Sequence, residues 1–165
     1  MPFMTSSLQL SSPAFTDNGL LPVKYAFRGD NVSPPLQIGN IPYGTRSMML
    51  IMHAPNTTSG DWLHWSIYNI SRDVTEIAEN SAPNGALEGV VSTGRIGYSG
   101  PNPPQGSGIR QYIFELYALP VIFELEYGAD RMTLEQQLRS VHILGQTKLT
   151  ALFTNDTPSP TQAVT

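Results

Sequence analysis

Arg110, Tyr112 and His64 are the side chains of this sequence best suited, by type and spacing, to recognise an anion. Arg110 and Tyr112 stand two residues apart at the head of an alternating apolar and polar run, so on a strand both project from one face. A guanidinium is always charged and offers a planar fork of donors that matches phosphate or carboxylate. His64, between Trp62 and Trp65, could donate a second hydrogen bond, as a cation below about pH 6.5 if unperturbed. Each has a plainer reading. Arg110 could be a solvated charge at a strand edge, and His64 a core histidine bonded to a backbone carbonyl. The three histidines, at 53, 64 and 142, show no metal-ligand spacing, and Gly97-Tyr98-Ser99-Gly100-Pro101 lacks the last glycine of a nucleophile elbow. An enzyme would need a triad assembled in space from Ser99, His64 and an acid. The expectation is a non-enzymatic protein without a cofactor or metal.

The elements that must position these groups centre on Gly97 to Tyr117, GYSGPNPPQGSGIRQYIFELY, where a loop dense in glycine and proline runs directly into a strand pattern. Proline cannot donate to a ladder and glycine is entropically costly to order, so such a loop is expensive unless its shape matters. A long solvated hairpin loop is the alternative. Leu8 to Phe15 and Leu20 to Phe27 flank Thr16-Asp17-Asn18-Gly19 and predict an opening hairpin. Arg28 to Leu36 is loop, and Ser47 to Met52 is a continuous apolar run of strand length. His53 to Asp61 breaks that run as a loop. Strict alternation over Trp62 to Ile70 puts Trp62, His64, Ser66 and Tyr68 on one face and Leu63, Trp65, Ile67 and Asn69 on the other. Ser71 to Val91 reads as surface connection with at most short helical turns. A helix is expected near 133–144, with Thr133 as N-cap and Gln136 completing a capping box, followed by a strand over Lys148 to Phe153. Many short strands with one late helix predict a mostly β, antiparallel β-sandwich in a single domain over 1–153, with a disordered polar tail over 154–165.

Composition narrows the partners. The 165 residues carry a formal charge of −4, with only 13% charged residues and 14 each of glycine and proline. Nine lysines and arginines spread along the chain make no footprint for a nucleic-acid backbone. There is no cysteine, so disulfides and thiolate chemistry are excluded. Neither a signal peptide nor a transmembrane segment is visible, which points to a cytoplasmic protein.

Several stretches, in order, resemble the phosphatidylethanolamine-binding protein family, which includes Raf kinase inhibitor-like proteins, and especially its bacterial branch. Asp30-Asn31-Val32-Ser33-Pro34-Pro35-Leu36 is similar to the family's N-x-S-P-P-L segment, and Trp62-Leu63-His64-Trp65 to its W-x-H-W strand. Gly97-Tyr98-Ser99-Gly100-Pro101-Asn102-Pro103-Pro104 resembles its G-Y-x-G-x-x-P-P loop, and Ser140 to Leu144 its late helix end. The resemblance implies a sandwich with small peripheral helices and a shallow pocket for a phosphate-bearing head group or other small anion. It also implies a possible protein partner, since relatives inhibit kinases or proteases. Trp62, His64, Gly100, Pro103, Pro104 and Tyr112 fall on the family's pocket positions. Its D-P-D-A-P segment falls on Ala54-Pro55-Asn56-Thr57-Thr58, keeping Pro55 and losing both aspartates, while counting back from Trp65 places His53 at the first aspartate. Its H-R-Y segment reads Arg110-Gln111-Tyr112, so Arg110 replaces an imidazole. The expected pocket therefore trades carboxylates for a fixed cation and favours a bare anion over one bearing an ammonium group.

Overall fold

The computed structural model describes residues 7–58 and 60–156. Two sheets form the sandwich. The smaller joins β1 (Gln9–Ser11), β3 (Leu36–Gly39) and β6 (Glu76–Ile77) in the order β1-β3-β6. The larger joins β2 (Gly19–Leu20), β4 (Ser47–Thr57), β5 (Gly60–Ser71), β7 (Leu87–Glu88), β8 (Arg110–Leu119) and β9 (Gly145–Phe153) in the order β2-β9-β8-β4-β5-β7. Pairing is antiparallel except between β2 and β9.

The continuous apolar run behaves as a central strand must. Every residue from Ser47 to Ala54 is buried, because β4 has neighbours on both edges and cover on both faces. Met48, Leu50, Met52, Phe114 and Leu116 fill the core against Leu10, Leu36 and Ile38 of the small sheet. Met49, Ile51, Leu63 and Tyr68 pack on the opposite face under Leu134 of α1 (Arg131–Arg139). No helix among the described residues is long and apolar enough to cross a membrane.

Four expectations are corrected. The opening hairpin does not form: β1 pairs with β3, while Asn18, in a left-handed turn at φ 63°, and Asp17 bond the backbone of Thr150 and deliver Gly19–Leu20 parallel to β9. Pro22 then leads into a single 3-10 turn at Val23–Tyr25. The run from His53 is no loop break, since β4 continues to Thr57, which pairs with Gly60. Strict alternation in β5 fails because Met52 pairs with Trp65 but His53 with Leu63, leaving His64 as an extra residue, and a second slip lies between Ile67 and Ile70, where Asn69 has φ 57°. Trp65 therefore shares the inter-sheet face with Trp62, and Tyr68 goes with Leu63. Finally, Asp130 rather than Thr133 caps α1, accepting the Thr133 N–H at 2.9 Å, and the helix ends at Arg139.

Past β9, Asn155 Nδ2 donates to Asn102 Oδ1 and the Pro103 carbonyl, and Asp156 accepts the Gly106 and Gly108 N–H groups. The start of the expected tail is thus fastened to the glycine-proline loop; 157–165 lie outside the described residues.

Candidate functional site

The glycine-proline loop owes its shape to a second stretch far away in sequence. Asn31, at φ 56°, turns its side chain to accept the Gly100 N–H at 2.7 Å. Tyr98 donates to the Tyr25 carbonyl at 2.7 Å, and the Phe27 N–H donates to the Pro101 carbonyl at 2.9 Å. A Cβ on Gly100 would stand 2.3 Å from the Tyr25 carbonyl oxygen, so only glycine lets the two backbones meet. Beneath the loop, Trp65 is fully buried, edge-on to Tyr98 with centroids 5.4 Å apart, and its indole donates to Glu88 Oε2 at 2.8 Å.

Between this loop, the end of the β4–β5 hairpin and the start of β8 lies a cavity of about 570 Å³. Eight of the nine residues singled out from sequence line it: Pro55, Trp62, His64, Gly100, Pro103, Pro104, Arg110 and Tyr112. His53 does not. It turns to the face that carries α1, so of the two alignments of this segment, the one with Ala54 at the cavity fits the geometry. Sequence reasoning passed over Phe27, Thr93, Asn102 and Ile109, and aligned Thr57 and Thr58 with the family's pocket segment without naming them as site residues; all six contribute wall. Ile109 sits one residue from Arg110 and was open to inference; Phe27 is brought to the cavity by long-range contacts between its stretch and the loop, its own bond to the Pro101 carbonyl among them, for which the sequence carries no signal.

His64 is 5% exposed, and its ring lies edge-on to Tyr112 with centroids 5.3 Å apart. Its Nδ1 lies 2.7 Å from the Ser99 carbonyl oxygen, while the Ser99 N–H donates back to the His64 carbonyl at 2.9 Å. A carbonyl only accepts, so Nδ1 carries the proton and Nε2 keeps a lone pair. Burial pushes the His64 pKa below the ordinary 6.5 despite the Ser99 bond, and the nearby His53 charge pushes the same way. The plainer reading of a histidine satisfied by a carbonyl and the reading of a cavity residue are both met by this one ring. At neutral pH it is an uncharged acceptor at Nε2, and its charging is displaced below the pH of about 6.5 at which an unperturbed imidazole would become a cation. Burial likewise raises the Tyr112 phenol to about 12, so it stays a hydroxyl. Arg110 is then the sole formally charged residue among the described residues lining the cavity, and none of those is a carboxylate.

On the far face, His53 holds the hairpin end in place. Its Nδ1 meets Asp61 Oδ1 at 2.8 Å and its Nε2 meets Glu115 Oε2 at 2.5 Å. Asp61 in turn accepts from Arg131 Nη2 at 2.8 Å, and Arg131 Nε donates to Glu135 at 3.1 Å, which ties β4, β5, β8 and α1 together. Among the described residues no cluster has the makings of a metal site.

The family profile described as phosphatidylethanolamine-binding protein matches residues 11–154. A UPF0098 protein of Methanothermobacter thermautotrophicus is 38% identical over 151 residues, covering 88% of this chain and 98% of its own. A Mycobacterium tuberculosis protein named as a lipoprotein, LppC, is 34% identical over 146 residues, covering 88% and 72%. The crystal structure of CT736 of Chlamydia trachomatis, titled a homologue of the same family, superposes with a TM-score of 0.82 at 33% identity, covering 91% of this chain and 99% of that one.

Proposed function

The chain belongs to the phosphatidylethanolamine-binding protein family, and from that premise we propose that it is a non-enzymatic binding protein whose cavity receives a small ligand through one anionic group, a phosphate or a carboxylate. The observation that carries this reading is the pairing of Arg110 with a wall that includes no described carboxylate. A guanidinium in a partly desolvated cleft makes charge-assisted hydrogen bonds to such a group, and nothing acidic in the described lining opposes its entry. His64 adds an acceptor at Nε2 for a protonated ligand oxygen. Hydrolysis is disfavoured by the same ring: a triad would turn Nδ1 to an acid, and here Nδ1 is spent on the Ser99 carbonyl.

Calorimetric titration with inorganic phosphate tests this. Charge-assisted bonds of about 1.5–3 kcal/mol predict that Arg110→Gln weakens binding about ten- to a hundredfold. Equal affinity for the variant and the parent protein refutes the proposal.

A further inference from the structure

The size and walls of the cavity ask for more than an inorganic ion. A volume of about 570 Å³ lies in the range of clefts that enclose whole drug-sized molecules. A bare phosphate fills only a small part of it and leaves the carbon surfaces of Phe27, Pro55, Trp62, Pro103 and Ile109 facing water. Phe27, at 46% exposure, and Ile109, at 61%, carry apolar surface outward from the cavity; the other exposed lining residues among those described are Pro104 and the uncharged polar Thr58, Thr93, Asn102 and Gln111, so the rim brings no charge. Ile109 is also bonded in sequence to Arg110, which places one aliphatic wall directly beside the cation.

We infer that the ligand is an anion carried on an uncharged apolar body, aryl or short alkyl, with the anionic group at Arg110 and His64 and the body lying along Trp62, Phe27 and Ile109. This inference rests on the anion reading above and adds the chemical class of the rest of the ligand. An ammonium group near the anion gains nothing, since the described lining offers it no carboxylate. The apolar body gains from every carbon it withdraws from water.

Four probes separate the parts by calorimetry on the whole protein: inorganic phosphate, phenyl phosphate, phenol and O-phosphoethanolamine. Phenyl phosphate is expected to bind about ten- to a hundredfold tighter than inorganic phosphate, the gain for burying one ring. Ile109→Ser, at an exposed position where the fold has little to lose, should shrink that ratio about threefold or more, with the unfolding midpoint measured alongside. Phenyl phosphate and phosphate within about twofold of each other overturn the inference while leaving the anion site standing. Phenol matching phenyl phosphate overturns the anion reading itself. O-Phosphoethanolamine binding tighter than phenyl phosphate, or a ratio untouched by Ile109→Ser, also overturns the inference.

Discussion

Replacing His53 with Gln removes the cation that stands between two carboxylates, and the loss must depend on pH. Burial works against the charge of this imidazole, but hydrogen bonds to Glu115 and Asp61 and the charges of both outweigh it, so its pKa lies above the ordinary 6.5. Only the doubly protonated ring donates to both acids; a neutral ring turns a lone pair toward one of them. Stability from a raised histidine pKa is complete below the unfolded value and is lost as pH rises through the folded one. The acids carry the opposite sign. Burial pushes the Asp61 carboxyl up, but Arg131 and His53 prevail, and His53 holds Glu115 down; their contributions stand above the ordinary 3.8 and 4.5 and fall away in acid. The whole network is therefore charged between those values and 6.5. Removing one partner of a buried pair costs about 3–5 kcal/mol. The Asp61 side chain is 41% exposed and keeps Arg131, which brings the cost down to about 2–3 kcal/mol. For a chain of this length that is about 4–12 °C in unfolding midpoint. Melting curves of the parent and His53→Gln at about pH 5.5 and about pH 9 read it directly, with the wider gap expected in acid. A gap that is constant, or that widens toward alkali, refutes the charged clamp.

Other expectations follow from the cavity and its loop. His64 is neutral at pH 7 and resists protonation, so affinity for sulfate, which stays a dianion, should rise as pH falls below the ordinary 6.5; His64→Gln should flatten that rise in titration calorimetry. Gly100→Ala drives a Cβ against the backbone of Tyr25 and Phe27 and should cost about 1–3 kcal/mol in denaturant melts while weakening phosphate binding. Asp156→Ala releases the Gly106 and Gly108 N–H groups, and hydrogen exchange at those two amides should accelerate while β4 and β8 remain protected.

The parts of the site that were legible from sequence are the consecutive ones. Gly97 to Tyr112 announces a shaped loop entering a strand because proline, glycine and alternation are local signals, and that stretch supplies Gly100, Pro103, Pro104, Arg110 and Tyr112 to the wall. What stayed hidden depends on register or on distant partners. One extra residue at His64 reassigns the faces of Trp65 and Tyr68, and a bulge leaves no compositional mark in a strand that is apolar on both faces. His53 gains its role from Glu115, 62 residues away, and Asn31 from Gly100, 69 away. The Asn18-Gly19 pair does make a turn, but Asp17 and Asn18 find Thr150 instead of a hairpin partner, so a strong local cue served a different long-range pairing. The cap of α1 was missed because Asp130 and Thr133 both suit an N-cap, and their own hydrogen bond makes the earlier residue the cap.

The two buried histidines explain how one hairpin can wall an apolar cavity and still be held firmly. Adjacent strands end at Thr57 and Gly60, where few ladder bonds remain, so the end of the hairpin needs another tether. Placing that tether inside would bring carboxylates to the cavity and repel an anion. His53 instead ties β4 to Asp61 and Glu115 on the helix side, where Arg131 completes the charge balance, and the cavity side keeps only Arg110 as a formal charge among its described lining residues. The separation also sets the sign of the coupling between the faces. A protonated His53 disfavours protonation of His64, which keeps the cavity imidazole an acceptor over the pH range in which the hairpin is clamped. His53→Gln should therefore raise the His64 pKa, read from its ring proton shifts in NMR, even though the substituted residue does not line the cavity; an unmoved titration would break the link between the two faces.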